Sequence, residues 1–258
     1  MTRRSKRFEK RRAKREARRV EFYKRYDDFN VLCNRQNLYN ASNLAKRHVM
    51  WKGTVQRWSI NQLINTEKLY RDLQTGKDVR KGFSKFVVCE RGKKRNISAV
   101  KFYERVVQKS LCKFVLYPAL TNDIIFDNCA SQKDKGTLFA TKRLEKHLKW
   151  YYRRHKRNGY ILMIDFKGYF ESIYHEPLKE TFRKKFTDQN IIKYADDFVD
   201  AFGDRGLGLG SETSQINAIA HINRIDHYIK EIENIKCYGR YMDDSYIILP
   251  DKEELKEL

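Results

Sequence analysis

The sequence contains no apolar run of about 18 residues, the shortest run that typically spans a bilayer as a helix. The N-terminus is basic but lacks the apolar stretch of a secretory signal. Proline is scarce, and all three prolines lie beyond position 117, so no proline-rich linker is visible. These absences favour a cytoplasmic protein that is neither secreted nor membrane-spanning.

Cysteine is also scarce and irregularly placed. The cysteines are odd in number and include no Cys-x-x-Cys pair, which argues against zinc-finger and disulfide frameworks. A reducing cytoplasm is the simpler setting for them. The five residues are Cys33, Cys89, Cys112, Cys129 and Cys237.

Acidic residues are few relative to basic ones. The 258 residues include 33 Asp and Glu against 55 Lys and Arg, for a formal net charge of +22. A chain this basic repels itself unless a polyanion offsets the charge, so nucleic acid is the first candidate partner and an anionic membrane surface the second. The 41% apolar and 13% aromatic content still indicates a folded protein of one or two domains.

The charge is unevenly distributed along the chain. Residues 1–25 carry a net charge of +10, whereas residues 196–258 carry −7. Acidic groups near a phosphate-binding surface suit metal binding, while a solvated acidic surface is the alternative that charge alone leaves open. The stretch 3–25 predicts either an exposed helix or a basic arm that orders on RNA.

Apolar periodicity and turn residues predict a mainly helical chain with two hairpins. The Tyr160–Ile164 run indicates a buried strand that ends at Asp165, and glycines 203, 206, 208 and 210 indicate a loop. The expected helices are 61–73, 99–117 (ended by Pro118), 141–157, 176–186, 188–202 and one capped near Ser211 that runs to about Glu233. The expected strands are 86–90 and 94–98 around a basic turn, and 235–241 and 246–249 around a turn at 242–245, with Asp251 as the cap of a last helix.

Three carboxylates stand out by their context. Asp165 follows the predicted buried strand, and Asp243 and Asp244 are adjacent at a hairpin tip. Adjacent carboxylates raise each other's pKa, and a divalent cation removes that cost. Two Mg²⁺ ions held by carboxylates from separate strands form the arrangement used in nucleotidyl transfer. Ordinary turn chemistry is the alternative for an isolated Asp-Asp pair.

These motifs resemble those of reverse transcriptases. Tyr241-Met-Asp-Asp244 is similar to the catalytic hairpin of their palm, and Asp165-Phe-Lys-Gly-Tyr-Phe170 to the first palm motif. Leu209-Gly-Ser-Glu-Thr-Ser-Gln215 is similar to the glycine-rich turn and helix start that lie against template and nucleotide. Segments 94–97, 102–108 and 133–137 resemble the fingers motifs, so the resemblance covers about residues 60–258.

The resemblance implies an α+β right-hand polymerase fold with fingers and palm, the antiparallel palm sheet being backed by helices. It implies a basic arm and helical extension at 1–60, fingers at 61–158 and an incomplete palm at 159–258, with fingers-like helices inserted at 176–202. The thumb is expected to be missing, because the chain ends at Leu258 inside the expected palm helix. Truncation, or a thumb supplied by a separate chain, would account for this end.

The resemblance also implies roles for individual residues. Asp165, Asp243 and Asp244 are the implied catalytic residues and ligands of two Mg²⁺ ions, for which Mn²⁺ can substitute, and the carbonyl of Phe166 is a further ligand. Phe170 is the implied steric gate against the 2′-hydroxyl, with core packing as the alternative. The other implied nucleotide-binding residues are Arg95, Lys135 and Gln215, and the implied nucleic-acid-binding residues are Lys93, Lys94, Arg105, Gly210, Ser214 and Tyr241.

Residues around these motifs carry weaker expectations. Lys167 and Arg240 flank the site, where contact with primer or phosphate and a surface salt bridge are equally expected. His175 is expected to pack structurally. Glu171 stands where an Asp is more common in the family, and Asn128-Cys129 replaces a Ser-Tyr pair of the fingers motif.

The implied function is that of an RNA-directed DNA polymerase with RNA template, DNA or RNA primer and dNTPs as substrates. Group II intron enzymes usually have Ser-Pro where this chain has Ser214-Gln215. The Ser-Gln form is similar to that of the reverse transcriptases of prokaryotic diversity-generating retroelements. In that family the variation is associated with error-prone copying. A basic accessory protein is the partner that this subtype implies. A phage-defence reverse transcriptase homologue and an inactive, thumbless RNA-binding remnant are the alternatives.

Overall fold

The computed structural model describes residues 3–90 and 92–257. It contains helices and two antiparallel sheets, in agreement with the predicted α+β class. The helices are α1 Arg3–Lys24, α2 Phe29–Cys33, α3 Arg35–Ala45, α4 Gly53–Ile60, α5 Gln62–Gln74, α6 Phe102–Leu111, α7 Tyr117–Thr121, α8 Thr137–His155, α9 Tyr169–Ser172, α10 His175–Lys185, α11 Gln189–Asp200, α12 Glu212–His221, α13 Asn223–His227 and α14 Lys252–Glu257. The strands are β1 Phe83–Glu90, β2 Lys93–Val100, β3 Tyr160–Asp165, β4 Tyr238–Tyr241 and β5 Asp244–Leu249.

The basic N-terminal segment forms helix α1, the first of its two predicted alternatives. Its C-terminal end is anchored, because the Tyr23 hydroxyl donates to Asp123 Oδ1 at 2.8 Å and accepts from Lys185 Nζ at 2.7 Å. Asp27 then accepts hydrogen bonds from the backbone N–H groups of Thr187 and Asp188. These bonds attach the helix to the segment that joins α10 to α11. No helix in the described residues is both long and apolar enough to cross a membrane.

The helix predicted over 99–117 begins later and does not end at Pro118. Helix α6 begins at Phe102 and continues through a π-helical turn, Cys112–Leu116, into α7, where Pro118 occupies the first turn. Proline is tolerated there because the first-turn N–H groups have no intrahelical acceptor. The prediction was wrong because it treated proline only as a helix terminator.

The helix predicted from Ser211 to Glu233 is interrupted. It divides at Ile222 into α12 and α13, which leads into a π-helical turn at Tyr228–Ile232. Ser211 precedes α12, but its hydroxyl donates to Gln108 Oε1 at 2.8 Å and makes no capping bond. The tertiary contact with α6 therefore replaces the predicted cap.

The three-stranded sheet has the order β3-β5-β4 and is antiparallel throughout. The two predicted hairpins are confirmed, the second with a tighter two-residue turn. Strand β3 lies at the edge of the described sheet, and Ile161 and Met163 are 50% and 65% exposed, so the expectation of a buried strand was wrong. An apolar run alone does not distinguish a central strand from an edge strand.

The hairpin of β1 and β2 docks on the glycine-rich loop that precedes α12. The backbone N–H of Ser98 donates to the Leu209 carbonyl at 2.9 Å, and Ile97 forms a parallel bridge with Leu209. A Cβ on Gly210 would meet Ile97 Cγ2 at 3.0 Å, so the absence of a side chain permits this approach. Arg91, in the predicted turn of this hairpin, lies outside the described residues.

Candidate active site

The ends of two paired strands bring together the carboxylates that the sequence separates by about eighty positions. Asp165 is the last residue of β3 and is the direct cross-strand partner of Asp244, the first residue of β5. Directly opposed residues of an antiparallel pair have Cβ atoms about 5 Å apart on the same face of the sheet. Asp243 immediately precedes this pair, so the three predicted catalytic carboxylates share one end of the sheet.

A tight turn joins β4 to β5 at this end. Tyr241 pairs with Asp244, which leaves Met242 and Asp243 as the two turn residues. Met242 has φ +56°, a left-handed conformation that a turn of this length requires and that costs a residue other than glycine free energy. The turn that carries Asp243 therefore includes a costly conformation at Met242 that its surroundings must stabilise.

The electrostatics of the site are those of concentrated negative charge. Partial burial raises the pKa of Asp244, and the neighbouring charges of Asp243 and Asp165 raise it further. The charge of Lys93, from β2, acts in the opposite direction. Lys93 is therefore near enough for its charge to act on Asp244.

The carboxylate oxygens suit Mg²⁺ in their chemistry, and the residues that carry them share one strand end. Hard divalent cations prefer such oxygens, and the raised pKa of Asp244 reflects a repulsion that a cation would relieve. In the described part of the chain, no three His, Cys, Asp or Glu side chains already converge as a metal site. The strand register brings the three residues to one end of the sheet. Phe166, the other predicted ligand, directly follows β3 and is 38% exposed.

Phe170 lies beside this strand end and is only partly buried. Its ring packs edge to face on Tyr169, with 5.9 Å between ring centroids and an interplanar angle of 78°. The Phe170 carbonyl accepts from the Leu207 N–H at 2.7 Å, and the Gly206 N–H donates to the Ile173 carbonyl at 2.8 Å. His175, buried as expected of a structural residue, completes this contact through Nε2 and the Gly206 carbonyl, which are 2.7 Å apart. The glycine-rich loop therefore braces the segment that carries the predicted gate.

Gly206 of the glycine-rich loop lies close to the backbone of Glu171, in the segment that follows Phe170. We expect Gly206→Ala to lower the free energy of unfolding by about 1–3 kcal/mol, through strain and overpacking. Its φ is +88°, and a Cβ would meet the Glu171 carbonyl oxygen at 3.0 Å. Denaturant unfolding would measure the loss. Gly203→Ala is the matched control, because Gly203 also has positive φ, at +102°, but open space around the added carbon. Equal losses in both variants would contradict the role of the Glu171 contact.

The predicted basic residues of the β1-β2 hairpin are exposed. Lys93, Lys94 and Arg95 are consecutive on β2, and Arg95 is the cross-strand partner of Val88. Arg105, on α6, lines a groove of about 540 Å³ between α4 and this hairpin. The groove also contains the cationic side chains of Lys52, Arg57 and Lys101 beside the aromatic rings of Trp58, Phe86 and Phe102.

The predicted residues of α12 point in different directions. Gln215 is exposed and, with Lys109, Lys113 and Lys133, lines a second cavity of about 450 Å³. Ser214 is 1% exposed, and its hydroxyl has no hydrogen-bond partner among the described residues. A buried position leaves Ser214 no direct contact with nucleic acid in this conformation.

Lys135, predicted to bind the nucleotide, contacts its own loop. Its ammonium donates to the carbonyls of Phe126 and Asn128, both at 2.8 Å. Burial lowers the pKa of this ammonium. Asn128 is fully buried, so the unusual Asn128-Cys129 pair lies inside the protein and not at the surface of a nucleotide pocket.

Arg240 corrects a sequence expectation. Contact with phosphate or a surface salt bridge was expected, but the side chain is fully buried and pairs with the equally buried Asp226. Asp226 was missed altogether, because a single Asp within a predicted helix carries no sequence signal of a buried partner. Tyr241 is half-buried against the helical core, and Lys167 is exposed after β3, which leaves its predicted role open.

Comparisons with known proteins connect this geometry with one family. A family model described as "Reverse transcriptase (RNA-dependent DNA polymerase)" matches residues 79–258, well over half of the chain. No curated protein matches the sequence significantly.

Solved structures of two telomerases share the fold. Apo telomerase from Candida tropicalis, truncated from the C-terminal domain, aligns with a TM-score of 0.50 at 14% identity, over 68% of this chain and 45% of its own. Telomerase from Candida albicans, in complex with the TWJ fragment of telomeric RNA, aligns with a TM-score of 0.52 at 12% identity, over 69% of this chain and 38% of its own. The chain thus spans less than half the length of these relatives, and at this identity the likeness concerns the fold.

Proposed function

The chain belongs to the reverse transcriptase family, and on that premise we propose that it extends a primer on an RNA template by two-metal nucleotidyl transfer. The observation that carries the proposal is the pairing of Asp165 with Asp244 at one strand end, with Asp243 in the adjoining turn. A family member without this chemistry would not need three mutually repelling carboxylates at one place.

Asp165, Asp243 and Asp244 would hold the two Mg²⁺ ions, with the Phe166 carbonyl as a further ligand. When bound, such ions activate the primer 3′-hydroxyl and stabilise the departing pyrophosphate. The residues of the chain supply placement. The strand pairing aligns two of the carboxylates, and the tight turn presents the third beside them.

The incoming dNTP would lie between the strand end and the β1-β2 hairpin. Arg95, by its guanidinium, suits bidentate contact with the triphosphate, and its position on exposed β2 supports that role. Lys93, whose charge acts on Asp244, is placed to offset phosphate charge. Lys94 lies between them on the same strand, and Phe170 would exclude the 2′-hydroxyl by steric bulk.

The template would lie along the basic surfaces next to this site. The groove that contains Arg105 combines cations with aromatic rings, the combination that suits single-stranded nucleic acid. Gln215 would contact the template or the nucleotide from α12, and the Ser214-Gln215 pair supports an error-prone retroelement enzyme of prokaryotic type. On this proposal residues 61–158 form the fingers, residues 159–258 belong to the palm, and residues 1–60 form a basic extension.

Primer extension tests the proposal directly. Wild-type protein, an RNA template, an annealed DNA or RNA primer, dNTPs and Mg²⁺ should give extended DNA, whereas Asp243→Asn should give none at the same protein concentration. Extension that requires DNA in place of RNA as template would overturn the RNA-directed reading. Absence of extension by the wild type would contradict the polymerase function and favour the alternative of an inactive RNA-binding protein.

The gate role of Phe170 makes a separate prediction. We expect Phe170→Ala to raise the incorporation of ribonucleotides relative to deoxyribonucleotides on the order of 10- to 100-fold, because the removed ring no longer occupies the space of the 2′-hydroxyl. Single-nucleotide kcat/KM values for dNTP and rNTP would measure the ratio. Tyr169→Phe is the control at the preceding residue, since it removes the buried hydrogen bond from the Tyr169 hydroxyl to the Ala218 carbonyl and retains the ring. An unchanged ratio in Phe170→Ala would indicate core packing alone.

A further inference from the structure

Arg240 is a fully buried cation one residue before the Tyr241-Met-Asp-Asp244 hairpin. Its guanidinium forms a two-point pair with Asp226, through Nε to Oδ1 at 2.9 Å and Nη2 to Oδ2 at 2.7 Å. The same guanidinium donates through Nη1 to the Met242 carbonyl at 2.9 Å and through Nη2 to the Ile219 carbonyl at 2.8 Å. One side chain therefore connects α13, the end of α12 and the catalytic turn.

Burial and pairing act in opposite directions on the pKa of Arg240. Burial by itself lowers the pKa of Arg240, but the hydrogen bonds and charge of Asp226 raise it by more. Tyr238 also donates to Asp226 Oδ1, at 2.5 Å, so the carboxylate is satisfied from two sides. A buried ion pair is weak evidence for stability, because well-packed apolar residues often serve as well. Its contacts with the turn and with α12 therefore point to a function in geometry.

The contact with Met242 has a specific geometric consequence. The Met242 carbonyl belongs to the peptide that connects Met242 to Asp243, and Met242 is held at φ +56°. A hydrogen bond to this carbonyl restrains the plane of the peptide. That plane and the pairing of the next residue, Asp244, together set the direction in which the Asp243 Cα–Cβ bond leaves the backbone. The bond also stabilises a conformation that methionine rarely adopts.

The contact with Ile219 links the turn to a second element of the site. Ile219 lies in the last turn of α12, where carbonyls have no intrahelical donor and a cation is favourable. Arg240 therefore holds the C-terminal end of α12, whose N-terminal end carries Ser214 and Gln215. A lysine could not reproduce this arrangement, because a single ammonium lacks the planar fork that reaches several acceptors at once.

We infer that Arg240, oriented by Asp226, is a positioning residue that holds the Met242–Asp243 peptide and so presents the Asp243 carboxylate for metal binding. The inference rests on the proposed function for its catalytic consequence, but the placement of Asp243 is testable without catalysis. Arg240 acts through the backbone of the turn and needs no contact with substrate.

The test compares Arg240→Lys with Tyr238→Phe. Both weaken the same buried cluster, but only the first breaks the bond to Met242, since Tyr238 contacts Asp226 alone among its side-chain hydrogen bonds in the described residues. A titration with Mn²⁺ alone, followed by electron paramagnetic resonance, measures metal binding. The binding that persists in Asp244→Asn is subtracted, so that the remainder reports on the site. Hydrogen exchange of residues 238–249 reports on the turn without any metal.

Arg240→Lys should weaken Mn²⁺ binding by about 10-fold or more and lower kcat by about 10- to 100-fold, with little change in KM for the dNTP. Exchange in the hairpin should become about 10-fold faster, relative to Tyr238→Phe at matched unfolding free energy. Tyr238→Phe should stay within about twofold of wild type in all three measurements. Equal effects in the two variants would show that Arg240 is merely structural and would overturn the inference.

A second variant covers the case in which Arg240→Lys does not fold. Asp226→Glu retains the charge and both oxygens but displaces them by one methylene, so it should shift the guanidinium and produce a smaller loss of Mn²⁺ affinity in the same direction. Wild-type Mn²⁺ affinity and hairpin exchange in a folded Asp226→Glu variant would also overturn the inference. A wild type that binds Mn²⁺ but extends no primer would contradict the proposed function and leave the Arg240 comparison intact.

Discussion

Replacing Asp244 with asparagine is expected to reduce primer extension on the order of 10³-fold and, in the absence of divalent cations, to raise the melting temperature. The first effect follows from the loss of an anionic oxygen at the centre of the proposed metal site. The second follows from the like charges of Asp243 and Asp165, which contribute to the raised pKa of Asp244. Loss of activity with a gain in stability would distinguish a functional site from a structural one.

The sign of the stability effect can be worked out from that raised pKa. A carboxylate whose pKa is higher in the folded chain favours folding at low pH, and this contribution is lost as the pH rises through the folded-state pKa. At pH 7 the ionised Asp244 therefore opposes folding, and the neutral, nearly isosteric amide removes the opposition.

Magnesium should reverse the order of the melting temperatures of the wild type and Asp244→Asn. A ligand that binds only the folded state stabilises it by RT ln(1 + [L]/Kd), where [L] is the free ligand concentration. Thermal unfolding with and without Mg²⁺ should therefore show a rise in melting temperature for the wild type that Asp244→Asn loses. Asp251→Asn is a suitable control, because Asp251 is an exposed carboxylate at the start of α14, away from this strand end. An equal magnesium effect in wild type and Asp244→Asn would contradict the metal site.

Replacing Asp226 with alanine is expected to lower the free energy of unfolding by about 3–5 kcal/mol, because the substitution leaves the buried Arg240 cation without its partner. Both side chains of this pair are 0% exposed, so water cannot compensate. A loss of this size is a large fraction of the about 5–15 kcal/mol that stabilises a typical domain. Denaturant unfolding followed by circular dichroism would measure it.

The chain offers an exposed pair of similar geometry as the control. Arg35 binds Glu67 through Nε at 2.7 Å and Nη2 at 3.2 Å, the same two-point arrangement, but Arg35 is 59% exposed. Because water solvates these charges and salt screens them, Glu67→Ala should cost far less than Asp226→Ala. Comparable losses in the two variants would show that burial is not the source of the effect.

The local elements of the site could be predicted from the sequence to a large extent. The 160–164 strand, the 235–249 hairpin and the glycine-rich loop were all expected, and the fold comparisons confirm the α+β reverse transcriptase class. Short-range patterns suffice for such elements, because hairpins and apolar strands depend on neighbouring residues. The roles of Arg95, Phe170 and Gln215 remain predictions.

Two predicted helix boundaries were wrong for different reasons, one local and one tertiary. Pro118 was expected to end a helix, but a π-helical turn before it lets the helical path continue. Ser211 was expected to cap α12, but Gln108 of α6 takes its hydroxyl. The interaction at Ser211 is tertiary, and no window of sequence around the residue contains it, whereas at Pro118 the cause is local, because a helix tolerates proline in its first turn.

The sequence by itself determined the residue types on which the proposed chemistry depends: an anionic hairpin, an aspartate that ends an apolar strand, and an excess of basic residues. Only the tertiary structure decided which charged residues are buried beside the candidate site. Arg240, expected at the surface, is buried, because Asp226 across the fold supplies the opposite charge. Burial of a charge depends on a partner in space, and residue type and spacing along the chain do not specify that partner.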